Sequence, residues 1–519
     1  MNFLENFVNA RNVSTPLIKV STPDAASTIA TIIKSLGKSY ATTPFATWDA
    51  INGLKGINDK GVESIQHMLT NKSVESDATT QLPIALQVMN DGTQADFVCF
   101  LHNIHLFWAD PLVLQGVWNL RDLYKANGML LVMGTTLGTV CPPELNSDVL
   151  SLEDALPTRK GIRAIVRDLY MSVFGPHSKE RPSDPAFEPT ESEYEQIGDA
   201  LVGIAAFPVD QATAMNLNKA SRKINIKGLW ERKREIVKAT PGLSFFDGEL
   251  TLDDMGGGEN IKKYLSAIMR GKRGANVILR IDEIEKAFAG AGTDTSGVKG
   301  DLLGNFLTWT QDRGVFCILL LGVPGASKSH CIYCLGGSFG KPVINFDIAG
   351  MQDSLVGNSG KNLRTAEATV EAISDGQIIL MATANSLRGL PAELLSRFEK
   401  GGIFFFDTPD ATERAEIMRL KINKFNLTPE QYAVIPDTTG YTGREIESMC
   451  DKADRLDVTL TEASQYVVPL TRSQSGVIDE LRQSANERYL SSSKPGLYKY
   501  TAPTITHTPT VNTTGRKLR

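Results

Sequence analysis

The sequence predicts an α/β protein built as two parallel-sheet lobes, each followed by a small helical subdomain. Three observations carry that reading. Short apolar runs alternate with stretches of helical spacing, the pattern of strands covered by helices. The whole pattern occurs twice. Each occurrence closes in a segment of helical spacing with no apolar strand run in it.

In chain order, the first lobe offers the strands PLIKV (16–20), DFVCFL (96–101) and GMLLVMG (128–134), with a helix over DAASTIATIIKSL (24–36). Helical stretches near 160–173 and 196–238 follow. The second lobe offers VILRI (277–281), VFCILLLG (315–322), VINFDI (343–348), QIILMA (377–382) and IFFF (403–406), with a helix over NLRTAEATVEAI (362–373). Its helical stretches fall near 411–424 and 442–456. His177–Glu195 is charged and proline-bearing and reads as a linker. A second break, Thr240–Gly258, ends in Asp-Met-Gly-Gly-Gly. From Ser491 the chain is rich in Ser, Thr and Pro without an acidic residue, which predicts a mobile tail. The expected domains are a degenerate αβ lobe over 1–150, a helical lid and linker over 151–245, a core over 246–410, a second lid over 411–470, and a C-terminal segment over 471–519.

The internal repeat is specific. Phe100-Leu101-His102-Asn103-Ile104 parallels Arg280-Ile281-Asp282-Glu283-Ile284, and Leu130–Leu145 parallels Ile378–Leu394, each an apolar strand leading to a Pro-containing Glu-Leu turn.

Composition narrows the function. The 519 residues carry 54 Lys+Arg against 59 Asp+Glu, a net charge of −5, so charge gives no indication of a nucleic-acid partner. The longest apolar run, Val315–Leu321, is far shorter than the roughly 20 residues of a membrane helix. Six cysteines form no disulfide framework and fit a reducing, cytoplasmic setting. Cys331-x-x-Cys334 lacks the further ligands of a zinc site, and His102 and His105 read as packing or surface residues.

The chemistry concentrates in the second lobe. Leu319–His330 runs from an apolar strand through Gly322-Val323-Pro324-Gly325-Ala326-Ser327-Lys328-Ser329-His330 toward a helix. Such a loop turns backbone N–H groups toward an anion, places a lysine on its outer phosphates and a hydroxyl on a metal. Ser327 stands where glycine is usual. VILRI delivers Asp282 and Glu283 to a strand end, where one acid serves a divalent metal and the next a water. Asn385 closes the strand before LRGLPAELLSRF, Arg397 ends that segment, and Arg444 opens a helix after GYTG.

GVPGASKS, RIDEIEKAFAG, MATAN, LLSRF and GYTGRE together resemble the AAA+ ATPases. DEIEKAFAGAGTDTSGVKGDLLGNFLTW and LPAELLSRFEKGGIFFFDTPD are similar to the two-lobed AAA-type ATPases of plastids, cyanobacteria and their phages, whose first lobe is degenerate. The resemblance implies two P-loop-NTPase-like lobes and hydrolysis of ATP with Mg²⁺. It also implies a homo-oligomeric ring, a hexamer being the expected size, that works on an unidentified macromolecule. Transferred position by position, Gly322, Pro324, Gly325, Ala326, Ser327, Lys328, Ser329 and His330 hold the nucleotide with Arg444. Ser329 and Asp282 hold the metal. Glu283 is the base, Asn385 positions water, and Arg397 reaches a neighbouring copy. The alternative is a catalytically dead, nucleotide-responsive scaffold.

The chain departs from the family in motif order. There the phosphate loop precedes the Asp-Glu strand, whereas Lys328 follows Asp282. The His102-to-Thr135 separation is about a third of that from Asp282 to Thr383, and removing Leu319–Leu380 makes the two nearly equal. A block carrying the phosphate loop therefore reads as transposed. The site survives only if each strand keeps its place in the sheet, since loops at one sheet edge meet whatever their order in the chain. Two further departures are the glycine pair Gly336-Gly337, poor for a helix, and Leu355, Asn358 and Gly360 in a segment resembling the family's pore loop. The first lobe, with His102-Asn103 in place of two acids, reads as structural.

Overall fold

The computed structural model describes residues 3–35, 40–136, 139–154, 156–175, 188–246, 248–291, 298–351 and 359–500. The chain divides into two compact units, Met1–Trp230 and Glu231–Arg519.

The first unit holds β1 (Leu17–Ser21), β2 (Phe45–Asp49), β3 (Gly53–Gly56), β4 (Val98–Leu101), β5 (Leu130–Thr135) and β6 (Leu150–Glu153). They form one sheet in the order β3-β2-β4-β5-β1-β6, parallel throughout except for the edge pair β2–β3. Helices Arg159–Phe174, Glu191–Leu201 and Ala206–Asn216 follow. The expected linker falls partly on residues 177–187, outside the described residues, while its end enters the helix Glu191–Leu201, started by a reciprocal Thr190–Glu193 capping box. The stretch expected to be wholly helical also holds a two-residue hairpin, β7 (Leu217–Asn218) with β8 (Lys223–Ile224). Asn218 nucleates its turn by accepting from the Ala220 and Ser221 N–H groups.

The second unit holds β9 (Leu243–Phe245), β10 (Val277–Ile281), β11 (Phe316–Gly322), β12 (Val343–Phe346), β13 (Ile378–Ala384), β14 (Ile403–Phe406) and β15 (Leu490–Ser491). Their order is β15-β14-β11-β13-β10-β12-β9, with only β9 antiparallel. The sheet is buried on both faces, so its strands read as continuous apolar runs. Alternation still decides where each side chain goes. Val277, Leu279 and Ile281 enter the core beneath helices Val298–Asp312 and Ser359–Ser374. Ile278 enters the opposite core with Cys331, Ile332 and Leu335 of helix Lys328–Phe339.

Six sheet positions recur in the two units. Read from the strand before the lid, they are β6-β1-β5-β4-β2-β3 in the first and β14-β11-β13-β10-β12-β9 in the second, each ending on an antiparallel edge. The chain fills them differently. In the first unit β1 and β2 are laid down before β4, whereas in the second β10 precedes β11 and β12. The block is transposed in sequence and every strand keeps its position.

Three expectations change. Gly336-Gly337 does not interrupt helix Lys328–Phe339, because both glycines are contact points. A Cβ on Gly337 would stand 1.8 Å from the Leu250 carbonyl oxygen, and one on Gly336 would stand 2.3 Å from Val343 Cγ2. Residues 491–500 of the expected tail are ordered, and 501–519 lie outside the described residues. β15 pairs with β14, and buried Tyr498 packs on Phe405 at 4.4 Å while its hydroxyl donates to Asp407 Oδ2 at 2.5 Å. The expected boundary at 245/246 also falls inside the second unit, where Lys233 donates to the Ile373 carbonyl and Leu243–Phe245 joins the sheet. No described helix is long and apolar enough to cross a membrane.

Candidate active site

β11 ends at Gly322, whose backbone lies against Phe406 so closely that a Cβ would sit 2.0 Å from the Phe406 carbonyl oxygen. The loop then turns through Gly325 at φ +83° and Ser327 at φ +62°. Left-handed backbone costs glycine nothing and serine about 1 kcal/mol or more. Ser327 therefore adopts the glycine conformation under strain. Its side chain does not cap the helix Lys328–Phe339, so the N–H groups of that first turn are left to the cleft.

Lys328 is buried and donates to the Gly322 and Val323 carbonyls at 2.7 and 3.0 Å and to Asn385 Oδ1 at 2.9 Å. Burial, reinforced by Arg444, pulls its ammonium down to about 8 despite Glu285, Asp282 and Glu283 nearby. Ser329 Oγ donates to Asp282 Oδ1 at 2.9 Å, and Thr383 Oγ1 donates to the same oxygen at 2.6 Å. Burial alone would raise the Asp282 carboxyl, but the Thr383 hydroxyl, Arg280 and Ser329 together hold it below the usual range. Asn385 Nδ2 donates to Glu283 Oε1 at 2.9 Å, and Glu283 also pairs with Lys286. Glu283 itself turns at φ +49°.

These residues surround a cavity of about 250 Å³ together with Pro324, Gly325, Ser327, His330 and Arg444. Arg444 opens helix Gly443–Leu456, and its backbone N–H donates to the Gly325 carbonyl at 3.3 Å, tying the lid to the loop. His330 Nε2 donates to the Asp254 carbonyl at 3.1 Å, and burial lowers its pKa. The structure thus brings together Asp282, Glu283, Pro324, Gly325, Ser327, Lys328, Ser329, His330, Asn385 and Arg444.

Three expected residues lie elsewhere. Gly322 and Ala326 do not line the cavity: Gly322 is under β14, and Ala326 is buried beside Met255 and Phe406. Arg397 is outside it as well, with Nη2 donating to Gln311 Oε1 at 2.7 Å and Nε buried without a partner. Leu355 and Asn358 lie outside the described residues.

Sequence reading missed Asp254, Gly256, Ile417, Leu420, Lys421 and Glu447 on the cavity wall. The usable signal was Asp254-Met-Gly-Gly-Gly, read only as a break. Its glycines admit the lid helix Ala411–Lys424: a Cβ on Gly256 would lie 2.6 Å from Ile417 Cγ1, while the Gly257 and Gly258 N–H groups donate to Glu416 and Glu413.

The fit to a magnesium-bound triphosphate rests on this donor set: an uncapped helix start, a buried ammonium, and a hydroxyl and carboxylate already in contact. Among the described residues no cluster of three or more His, Cys, Asp or Glu could hold a metal unaided, so a metal here would need further ligands such as phosphate or water. The first unit has no such fit. Only Thr22-Pro23-Asp24 separates β1 from its helix, and Asp24 Oδ1 itself accepts from the Ser27 N–H at 3.0 Å. A carboxylate of the chain sits where an anion would bind. Asn103, like Glu283, turns at φ +52°, so the backbone of the acid pair outlasts its acids.

A family model described as SpoVK-like AAA ATPase, N-terminal domain, matches residues 2–153. The chain is 24% identical to the uncharacterized AAA domain-containing protein ycf46 of Gracilaria tenuistipitata var. liui, over 70% of this chain and 74% of that one. It is 19% identical to the ycf46 protein of Guillardia theta, over 94% of this chain and 95% of that one. In sheet order and in these matches the chain is thus similar to AAA domain-containing proteins, with two lobes of α/β, P-loop-NTPase-like fold.

Proposed function

We propose that the second lobe binds Mg²⁺-ATP and hydrolyses it, and that copies of the chain assemble into a ring to use the energy. One observation carries the reading: Ser329 on Asp282, and Lys328 on Asn385 on Glu283, form a single bonded set although their order in the chain is rearranged.

Lys328 and the N–H groups of the loop and helix start hold the β- and γ-phosphates. Ser329 and Asp282 hold the metal, which when bound neutralises charge developing on the phosphate oxygens. Glu283 takes the proton of the attacking water at Oε, and Asn385, already bonded to it, fixes the direction of approach. Arg444 reports on the nucleotide through the lid. Arg397, held away from its own cavity by Gln311, supplies a guanidinium to the site of a neighbouring copy.

Lys328→Ala should weaken ATP binding at least ten-fold in a fluorescent-nucleotide titration. Glu283→Gln should bind as well as the parent and lose on the order of a hundred-fold in turnover. A parent chain that takes up no ATP at millimolar concentration, or a Glu283→Gln chain with full turnover, overturns the reading.

A further inference from the structure

Arg280 is the one charged residue of β10, and it is 9% exposed. A buried guanidinium needs partners, and here all of its nitrogens but Nε find them. Alternation along the strand sends Arg280 and Asp282 to the same face, the one covered by helix Lys328–Phe339. There Nη2 pairs with Asp282 Oδ2, while Nη1 donates to Tyr333 Oη and, at 2.8 Å, to Asn345 Oδ1. The guanidinium lies 4.8 Å over the Tyr333 ring, which is stacked at 3.7 Å on Phe246. Asn345 is its register neighbour on β12. The cation cannot withdraw without dismantling that frame.

The arrangement divides the two oxygens of Asp282. Oδ1 faces the cleft with Ser329 and Thr383, and Oδ2 is held from behind by Arg280. A divalent cation on Oδ1 would therefore share its only carboxylate with a fixed positive charge a few ångströms away, a repulsion that a partly buried site screens poorly.

We propose that Arg280 is a positioning residue that holds Asp282 in place and makes its metal subsite refuse a bare divalent cation, admitting the metal only in company with a polyphosphate. The proposal rests on the reading of Asp282 and Ser329 as metal ligands, and not on turnover.

The test uses Mn²⁺ alone, followed by electron paramagnetic resonance on the full chain, with and without ATP. Arg280→Met should bind Mn²⁺ without nucleotide at least ten-fold more tightly than the parent. Arg280→Lys, which keeps the charge and loses the fork, should stay within about three-fold of the parent. Adding Asp282→Asn to Arg280→Met should abolish the gain. Where methionine unsettles the sheet in a melting curve, Arg280→Gln offers a second neutral side chain with reach to Tyr333 and Asn345. The proposal is overturned if neither neutral variant gains Mn²⁺ affinity, if Arg280→Lys gains as much as they do, or if the gain survives Asp282→Asn. A parent that takes no ATP while Arg280→Met gains Mn²⁺ overturns the ATPase reading and leaves the role of Arg280 standing.

Discussion

Ser327 carries a side chain into a backbone conformation at φ +62° that suits glycine, with no capping bond in return. Ser327→Gly should therefore stabilise the second lobe by about 0.5–1 kcal/mol and leave or improve ATP affinity, as read by thermal melting and titration. A lower melting temperature would show that the hydroxyl makes up for the strain. Lys328 invites a pH experiment. Its ammonium lets go of its proton near pH 8, against 10.5 when exposed. Between those values the unfolded chain holds a proton the folded chain has lost, so this group's contribution to stability grows with pH. Nucleotide binding has the opposite sign, because phosphate attracts the charged form. Affinity should fall as pH rises past 8, with a proton taken up on binding. Calorimetry at pH 8.5 in two buffers of different ionisation heat measures that uptake, and equal heats would refute it. Residue type made Lys328, Ser329, Asp282 and Glu283 legible in the sequence, since anion and metal chemistry demands those groups at strand ends. Lys421 and Glu447 were not legible, because a lid helix must dock before they face the cavity.

Elements explain the places where local propensity misleads. Gly336 and Gly337 lower the helix preference of the segment, yet helix Lys328–Phe339 runs through them because it must approach Leu250 and Val343 closely. Gly337→Ala raises intrinsic helicity and should nonetheless destabilise the lobe by about 1–3 kcal/mol, through contact with the Leu250 carbonyl. A neutral or stabilising effect in chemical denaturation would mean that the strand-side loop moves aside. The eight strand runs were readable from apolar continuity, since a sheet covered on both faces leaves no polar alternation to confuse them. The Leu490–Tyr500 strap was not, because its serines and two lysines resemble a solvated end. It is tied down by the pairing of Leu490–Ser491 with β14, by the buried Ser492 backbone bonded to Phe405 and Ile261, and by the Tyr498 and Tyr500 hydroxyls on Asp407 and Asp479.

At the scale of the molecule, two sheets of one design differ in chemistry. With Asp24 bonded to its own helix start, no lysine in the turn after β1 and His102-Asn103 in place of the acid pair after β4, the first unit should take no nucleotide. Isothermal titration should give about one ATP per chain, and a stoichiometry near two would contradict this. The repeat made that asymmetry readable in advance, and motif order together with the repeat spacing located the rearranged block. That the strands would keep their positions was beyond the sequence, because pairing partners are chosen in three dimensions. The same rearrangement alters life on the ribosome. In the first unit β4 emerges to find β2 already made, but Val277–Ile281, apolar at four of five positions, emerges before either flanking strand exists. Until Val343–Phe346 and Ile378–Ala384 follow, both its edges offer unpaired backbone to other nascent chains. The strand that leads to Asp282 is thus more in need of chaperone shelter during synthesis than β4, its counterpart in the first unit.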